Sequence, residues 1–170
     1  WEDRPCIPQT PVFRIRAGES RQQKLEWLRE TLRENGCDAI LVSALDEVAW
    51  LLNVRASDIE YNPMAISYLL VGEDYVNWYV LKEEVEDPQS LDTFDVLGQE
   101  GISILPYDSI ALTLAGMEDQ RLWLDSVSVN AQLYEAVGCA VLFEPSPVAA
   151  RKEVKDPQEI EWIRDAHLRD

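Results

Sequence analysis

The sequence predicts an α/β fold, a three-layer α/β/α domain with a mixed sheet of five or six strands. Short apolar runs alternate with helical periodicities after residue 88, and such alternation favours parallel strands joined by right-handed crossovers. Two β-rich runs over 66–71 and 75–81 are separated by a short turn containing Gly72, which predicts one antiparallel hairpin. A chain of 170 residues, 46% apolar and 28% charged, suits one folded domain with its own core.

The first predicted helix spans about 20–35. Ser20 and Gln23 have the spacing of a capping box, in which each side chain satisfies a backbone N–H at the helix start. Three leucines at helical spacing then form one apolar face, and Gly36 is placed to end the helix. The preceding residues 1–19 contain three prolines and little periodicity, which predicts an extended lead-in or interdomain linker.

A buried strand is predicted over 39–43, and the stretch that follows it is the centre of the functional prediction. Residues 45–63, LDEVAWLLNVRASDIEYNP, begin as a short apolar helix behind Asp46 and Glu47, whose charges suit a helix N-terminus. The stretch then becomes polar until Pro63. Such a loop on a rigid core is typical of a binding surface, and the alternative is a solvated connection whose polar side chains satisfy their own backbone.

The later elements follow the same alternation and are bounded by glycine or proline. The expected order is a helix near 91–98, strand 102–105, helix 108–115, strand 122–124, helix 130–137, strand 140–143, helix 147–152 and a last helix from 157. The last helix has no stop signal and the first residue is not Met, so the chain is expected to be part of a longer protein.

The charge and cysteine content exclude several classes of partner. The chain has 15 basic and 32 acidic residues, a net charge of −17 at pH 7, and this field repels nucleic acid and anionic lipid. No apolar run approaches the roughly 20 residues that span a bilayer, and the first residues lack a signal-peptide layout. Three cysteines without metal-ligand spacing suit a reducing compartment, and the cytoplasm is predicted.

Motifs for catalysis are scarce. There is no Gly-rich phosphate loop and no GxSxG elbow, and His167 is spaced for local ion pairing with Arg164 and Asp170 on one helix face. Carboxylates offer an alternative, a two-metal nuclease centre in which Asp46 and Asp125 lie near one end of the sheet. Asp46 equally suits a helix start, and the negative field opposes a polyanionic substrate. The carboxylate candidates are Asp38, Asp46, Asp58, Asp125 and Glu144.

Several segments together resemble one family. The stretch over 45–63 with the following SYLLV resembles the middle domain of three-domain X-prolyl aminopeptidases (aminopeptidase P), which belong to the creatinase/prolidase-like metallopeptidases. The other matching segments are Trp1-x-Asp3-Arg4-Pro5, Gly18-Glu19-Ser20 with Lys24, DPQSLDTFDVLGQEGISILPY, and the tail from Lys155 through EIEWIRDAHLRD. The resemblance covers essentially the whole chain.

The resemblance implies a creatinase/prolidase N-terminal domain with a ribonuclease H-like motif. It divides the chain into a linker from an N-terminal domain over 1–19, an α/β domain over 20–152 and a helix over 153–170 leading into a catalytic domain. In the family, two divalent metal ions (Mn or Zn) and the catalytic residues belong to a C-terminal pita-bread domain. This chain is therefore expected to hold no catalytic residue, metal ligand or cofactor. Its expected partners are the parent's other domains, short proline-containing peptides through the parent, and further copies in a homo-oligomer.

Carried over residue by residue, the resemblance places the polar stretch at the active-site mouth. The candidates for substrate entry or domain contact are Trp50, Asn53, Arg55, Ser57 and Asp58. An arginine suits a peptide carboxylate or an acidic loop through bidentate hydrogen bonds. The family usually has Gly where this sequence has Ala56, so a left-handed backbone at that position would cost about 1 kcal/mol or alter the loop path.

The leading hypothesis is the non-catalytic middle domain of a cytoplasmic Xaa-Pro aminopeptidase. In such an enzyme, which releases the N-terminal residue from peptides with proline second, the domain would be a scaffold and active-site rim. One alternative is a stand-alone metal-dependent nuclease that uses Asp46 and Asp125. The other is a stand-alone peptide-binding module that presents the loop over 53–63.

Overall fold

A computed structural model describes residues 7–81 and 87–169 of the chain. The strands are β1 (Phe13–Arg14), β2 (Ala39–Val42), β3 (Val54–Arg55), β4 (Ser67–Gly72), β5 (Val76–Val80), β6 (Ile102–Pro106), β7 (Arg121–Leu124) and β8 (Ala140–Phe143). The helices are α1 (Arg21–Glu34), α2 (Leu45–Leu52), α3 (Pro88–Gln99), α4 (Ile110–Ala115), α5 (Ala131–Ala136), α6 (Pro147–Glu153) and α7 (Pro157–Arg169). The elements predicted from the sequence all occur, with bounds shifted by a few residues.

A mixed sheet of six strands in the order β6-β5-β4-β2-β7-β8 forms the middle layer. Strand β4 runs antiparallel to both of its neighbours, and every other pair in this sheet is parallel. The predicted hairpin is therefore present as β4 and β5, and it supplies the one antiparallel strand. Helices α1, α2 and α3 cover one face through Leu28, Leu51 and Leu97, while α4 and α5 cover the other through Leu114 and Leu133. The predicted three-layer α/β/α fold is confirmed.

Helix α1 begins as its capping signal predicts. The side chain of Ser20 accepts a hydrogen bond from the backbone N–H of Gln23, and the Ser20 N–H donates to Gln23 Oε1 at 2.9 Å. The helix ends where Gly36 adopts a φ of 62°, a conformation that glycine reaches without strain. The predicted leucine face, Leu25, Leu28 and Leu32, is buried in the core.

A second, two-stranded sheet was not predicted. Strand β1 lies within the segment expected to be a linker, and Phe13 pairs with Arg55 while Arg14 pairs with Val54. The neighbouring Val12 is 2% exposed. The described part of the lead-in is thus packed on the domain, and its predicted origin as a linker from a preceding domain stays a prediction. The first motif of the resemblance, Trp1 to Pro5, lies outside the described residues.

Candidate functional site

Helix α2 ends at Leu52 because Asn53 adopts the left-handed conformation, with φ 51° and ψ 43°. Asparagine tolerates this conformation better than most residues. Its backbone N–H donates to the carbonyl groups of Ala49 and Trp50, which satisfies part of the helix end. The chain then enters β3. Residues 50–58, which include all five candidate residues from the sequence, are called the α2–β3 corner below.

Lys24 of α1 is the buried cation that holds this corner. It is 1% exposed, and its Nζ donates to the Trp50 carbonyl at 2.8 Å and to Asn53 Oδ1 at 2.7 Å. The same Nζ lies 4.0 Å from the centroid of the Trp50 ring, within cation–π range. A cation at this point also complements the negative C-terminal end of α2. Lys24 therefore fixes the candidate residues Trp50 and Asn53 relative to α1.

Burial lowers the pKa of Lys24 to about 8, although the carboxylates of Glu159 and Glu19 act in the opposite direction. The sequence interpretation used Lys24 only as part of the family resemblance and missed this role. A signal was available, because Lys24 stands on the same helix stripe as Leu28 and Leu32, at intervals of four residues. A lysine in an apolar stripe is carried toward the core by helix geometry.

Arg55 lies half-buried on β3 and its guanidinium binds only backbone. Its Nη1 donates to the carbonyls of Ala49 at 3.1 Å and Val54 at 2.8 Å. Burial lowers the pKa of Arg55. Within residues 7–81 and 87–169, no carboxylate lies within ion-pairing distance of this side chain. The remaining N–H groups of Arg55 are thus available for a bidentate acceptor.

Asp58 connects the corner to the lead-in and to the residue before β4 by hydrogen bonds. Its Oδ1 accepts hydrogen bonds from the backbone N–H of Thr10 at 2.9 Å and from Thr10 Oγ1 at 2.7 Å, and its Oδ2 accepts from the N–H of Ile66 at 2.9 Å. The Ser57 N–H in turn donates to Thr10 Oγ1 at 2.7 Å. Asp58 is 9% exposed, while Ser57 is exposed. Asp58 therefore joins the lead-in to the corner, and Ser57 faces solvent beside it.

Ala56 does not occupy the strained conformation considered from the sequence. Within the described residues, the non-glycine residues with positive φ are Asn53, Tyr61 and Asp119. Ala56 has no exposed surface and lies in the main core cluster. The alanine therefore fits the loop path without left-handed strain.

A groove of about 430 Å³ lies between the corner and helix α7. Its residues from the corner are Trp50, Asn53 and Arg55, and α7 contributes Glu159, Trp162, Ile163 and Ala166. The other lining residues are Ile15, Arg16, Ala17, Lys24, Lys152 and Lys155. This surface is called the basic groove below. It brings three of the five candidate residues together, whereas Ser57 and Asp58 line a separate depression near Tyr61.

Asp46 and Asp125, the two carboxylates of the nuclease alternative, are engaged in the fold. Asp46 pairs with Lys152, and Asp125 accepts hydrogen bonds from the backbone of Val127 at 2.8 Å and of Ser146 at 3.2 Å. In the described part of the chain, no group of three or more His, Cys, Asp or Glu side chains is placed to hold a metal ion. These residues do not fit a two-metal centre.

The histidine and the thiols form no reactive constellation among the described residues. His167 Nδ1 lies 2.9 Å from the Ile163 carbonyl on an exposed helix face, and its predicted partner Asp170 lies outside the described residues. Cys37 and Cys139 are free, and burial raises the pKa of both thiols. Cys6 also lies outside the described residues.

Comparison with known proteins gives a consistent result. A family model described as the Creatinase/Prolidase N-terminal domain matches residues 3–159. The chain is similar to Xaa-Pro aminopeptidase 1 of Dictyostelium discoideum, at 33% identity over 175 residues, and to a probable Xaa-Pro aminopeptidase P of Laccaria bicolor, at 36% identity over 180 residues. Each match covers 99% of this chain and 27% of the relative. The chain thus spans just over a quarter of the length of these curated relatives.

The fold is similar to that of solved structures as well. X-prolyl aminopeptidase from Caenorhabditis elegans, described as a cytosolic enzyme with a di-nuclear active site, matches with a TM-score of 0.87 and 29% identity. The match covers 99% of this chain and 29% of that protein. An Xaa-Pro dipeptidase from Bacillus anthracis shares the fold, with a TM-score of 0.58 at 15% identity.

Proposed function

The chain belongs to the Creatinase/Prolidase N-terminal domain family, and from this membership we propose that it is the non-catalytic middle domain of a Xaa-Pro aminopeptidase. The longer enzyme, called the parent below, would release the N-terminal residue from peptides with proline in second position. The observation that carries the proposal is the match of 99% of this chain to only 27% of relatives named Xaa-Pro aminopeptidases.

The α2–β3 corner would form the rim that faces the parent's active site. Its support is the way the fold holds these residues. Lys24 holds Trp50 and Asn53 through its hydrogen bonds. Strand β3, which contains Arg55, pairs with β1. Residues held by a rigid core suit a contact or entry surface, because little conformational entropy is lost when they bind. In this proposal Asp58 and Asn53 keep the corner in place, since Asn53 is 6% exposed and its side chain is hydrogen-bonded to Lys24 and to the Glu19 carbonyl. Trp50, Arg55 and Ser57 provide contacts.

The remaining features of the proposal concern the parent. The parent would bind two divalent metal ions, Mn or Zn, with ligands outside this chain, by analogy with the relative described as having a di-nuclear active site. Its other domains would be the direct partners of this one, short proline-containing peptides its substrates, and a homo-oligomer its assembly. We place it in the cytoplasm by analogy with the cytosolic relative. The described residues contain no helix with the length and apolar character needed to cross a membrane.

Two measurements test this proposal. The purified 170-residue chain should show no turnover of an X-Pro peptide with added Mn²⁺ or Zn²⁺. Turnover at a rate that follows the chain through purification would overturn the non-catalytic role.

In the parent, Arg55→Ala should raise KM about tenfold, which corresponds to the loss of one charge-assisted hydrogen bond. Arg121→Ala, which removes an exposed arginine at the start of β7, is the matched control and should leave KM within about twofold, the scatter expected of a surface change. Equal effects of the two variants would remove the rim from the proposal.

A further inference from the structure

The lining of the basic groove is mainly positive, whereas the chain as a whole is strongly acidic. The whole sequence has 15 basic and 32 acidic residues, yet the groove is lined by five cations and one carboxylate. The cations are Arg16, Lys24, Arg55, Lys152 and Lys155, and the carboxylate belongs to Glu159. Because the acidic surface elsewhere repels anions, a groove of opposite sign concentrates the attraction for an anionic partner at one place.

Most of these cations form no direct ion pair among the described residues, although Glu159, Glu19 and Asp156 act on Lys24 from a greater distance. Among the residues that the structure describes, Lys152 pairs with Asp46, and the other four have no carboxylate within ion-pairing distance. Arg55 is the informative member, because burial removes part of its hydration and no carboxylate replaces that hydration among the described residues. Its carbonyl partners, Ala49 and Val54, occupy only Nη1. The fold thus holds a half-buried guanidinium whose other N–H groups have room for an outside acceptor.

The shape of the groove suits a peptide better than a lone ion. Its volume of about 430 Å³ falls within the range of small-molecule and peptide sites. Trp50 and Trp162 contribute aromatic surface to its lining, which a compact inorganic anion would not use. Lys155 is exposed, whereas Arg55 is half-buried and Lys24 is fully buried. Positive charge therefore continues from the depth of the groove to its opening.

We propose that the basic groove is a docking site for an acidic peptide segment, that is, an extended stretch of protein chain with clustered Asp and Glu side chains. The guanidinium of Arg55 receives one carboxylate through its free N–H groups, and the ammonium of Lys155 receives a second nearer to solvent. This inference rests on the proposed role of the α2–β3 corner as a contact surface, and it names the chemistry of the partner.

The test uses the 170-residue chain with fluorescein-labelled hexaglutamate and hexaglutamine as probes. Fluorescence polarisation should show saturable binding of hexaglutamate that weakens as NaCl is raised, since salt screens exposed charge pairs. Hexaglutamine should bind at least about tenfold more weakly, because it cannot form charge-assisted hydrogen bonds. Equal binding of the two peptides, or no binding of hexaglutamate, would overturn the proposal.

Variants locate the binding within the groove. Arg55→Gln and Lys155→Gln should each weaken hexaglutamate binding about tenfold. Arg164→Gln removes one exposed positive charge from α7 outside the groove and should change binding less than about twofold, because it alters only the net charge. Lys155 is exposed, so its variant should fold even if the Arg55 variant does not, which circular dichroism will show. Equal losses in all three variants would mean general attraction and would overturn the assignment to the groove.

The alternative occupants and the proposed function give distinguishable results. If a second copy of the chain covered the groove, light scattering would show a dimer that Lys155→Gln dissociates. Hexaglutamate would then be excluded from the groove, which would overturn the inference. If hexaglutamate failed to bind while Arg55→Ala still raised KM in the parent, the acidic-peptide inference would fail and the proposed function would stand. If the peptide bound but the parent variant behaved as its Arg121→Ala control, the rim proposal would fail instead.

Discussion

The two sides of the α2–β3 corner use polar residues in opposite ways. On one side, Asp58 is 9% exposed and its carboxylate accepts three hydrogen bonds from within the chain. On the other side, Arg55 donates only to backbone carbonyls and has no carboxylate partner in the described part of the chain. One short polar motif therefore contains an anchor, Asp58, and a proposed contact residue, Arg55, and internal hydrogen bonding distinguishes the two.

The difference comes from what each side is packed against. Asp58 lies between Thr10 of the lead-in and Ile66 directly before β4, and both offer backbone N–H groups. Arg55 instead lines the basic groove, where the surrounding charges are mainly positive. A carboxylate that is surrounded by donors uses its acceptor sites within the fold. A guanidinium that is surrounded by other cations keeps N–H groups free to donate to an outside acceptor.

The largest expected effect is on the anchor side. Asp58→Ala should lower the free energy of unfolding by about 3 kcal/mol, because it leaves three part-buried donors, two N–H groups and one hydroxyl, without their acceptor. Arg55→Gln should cost less than about 1 kcal/mol, since it removes two hydrogen bonds to carbonyl groups and breaks no ion pair. Urea unfolding followed by circular dichroism measures both. If the two variants were destabilised equally, the distinction between anchor and contact residue would be wrong.

A somewhat smaller effect is expected at Lys24, which supports both Trp50 and Asn53. Lys24→Met should lower the free energy of unfolding at pH 7 by about 2 kcal/mol, because two acceptors lose their buried donor while the apolar stem is retained. Asn53→Ala removes one of those acceptors and is the companion variant. If Lys24→Met lowered the free energy of unfolding no more than a surface variant such as Arg164→Gln does, the role of Lys24 would be contradicted.

The same lysine should also produce a distinct pH dependence. The pKa of Lys24 is about 8 in the folded chain, below its ordinary value of 10.5. Between these values the unfolded chain still binds the proton that the native state has lost, so this group makes stability rise with pH. The stability difference between the natural chain and Lys24→Met should therefore widen from pH 7 to pH 10, by about 1–3 kcal/mol. A constant difference would show that Lys24 does not titrate in this range.

The fold was predictable because its main signals are local or repetitive. The capping box at Ser20 and the leucine stripe define α1 within a few residues of sequence, and alternation of strands and helices defines the sheet. The pairing of β1 with β3 was not predictable in this way. Phe13 and Arg55 are far apart in sequence, and strands of two residues have no periodicity to detect.

The sequence motif locates the α2–β3 corner, but it does not show which of its side chains are engaged by the rest of the fold. The motif over 50–58 identified the corner, yet nothing within it separates Asp58 from Arg55. Their roles depend on Thr10, which is 48 residues from Asp58, and on the groove residues contributed by α7. For Lys24, the leucine stripe indicates burial, but it does not identify the acceptors, which lie on α2 and at Asn53 directly after it.

The smallest expected effect concerns the position where this sequence departs from the resembling family. Ala56 is buried and is not among the positive-φ residues of the described chain, so glycine would gain nothing from its freedom there. Ala56→Gly should therefore lower the free energy of unfolding by about 1 kcal/mol, through the lost methyl contact and the greater backbone entropy of the unfolded chain. Thermal unfolding of the variant beside the natural chain measures this directly. A more stable glycine variant would mean that the alanine holds the corner in strain, and that the path of β3 into Asp58 is set by something other than the contacts described.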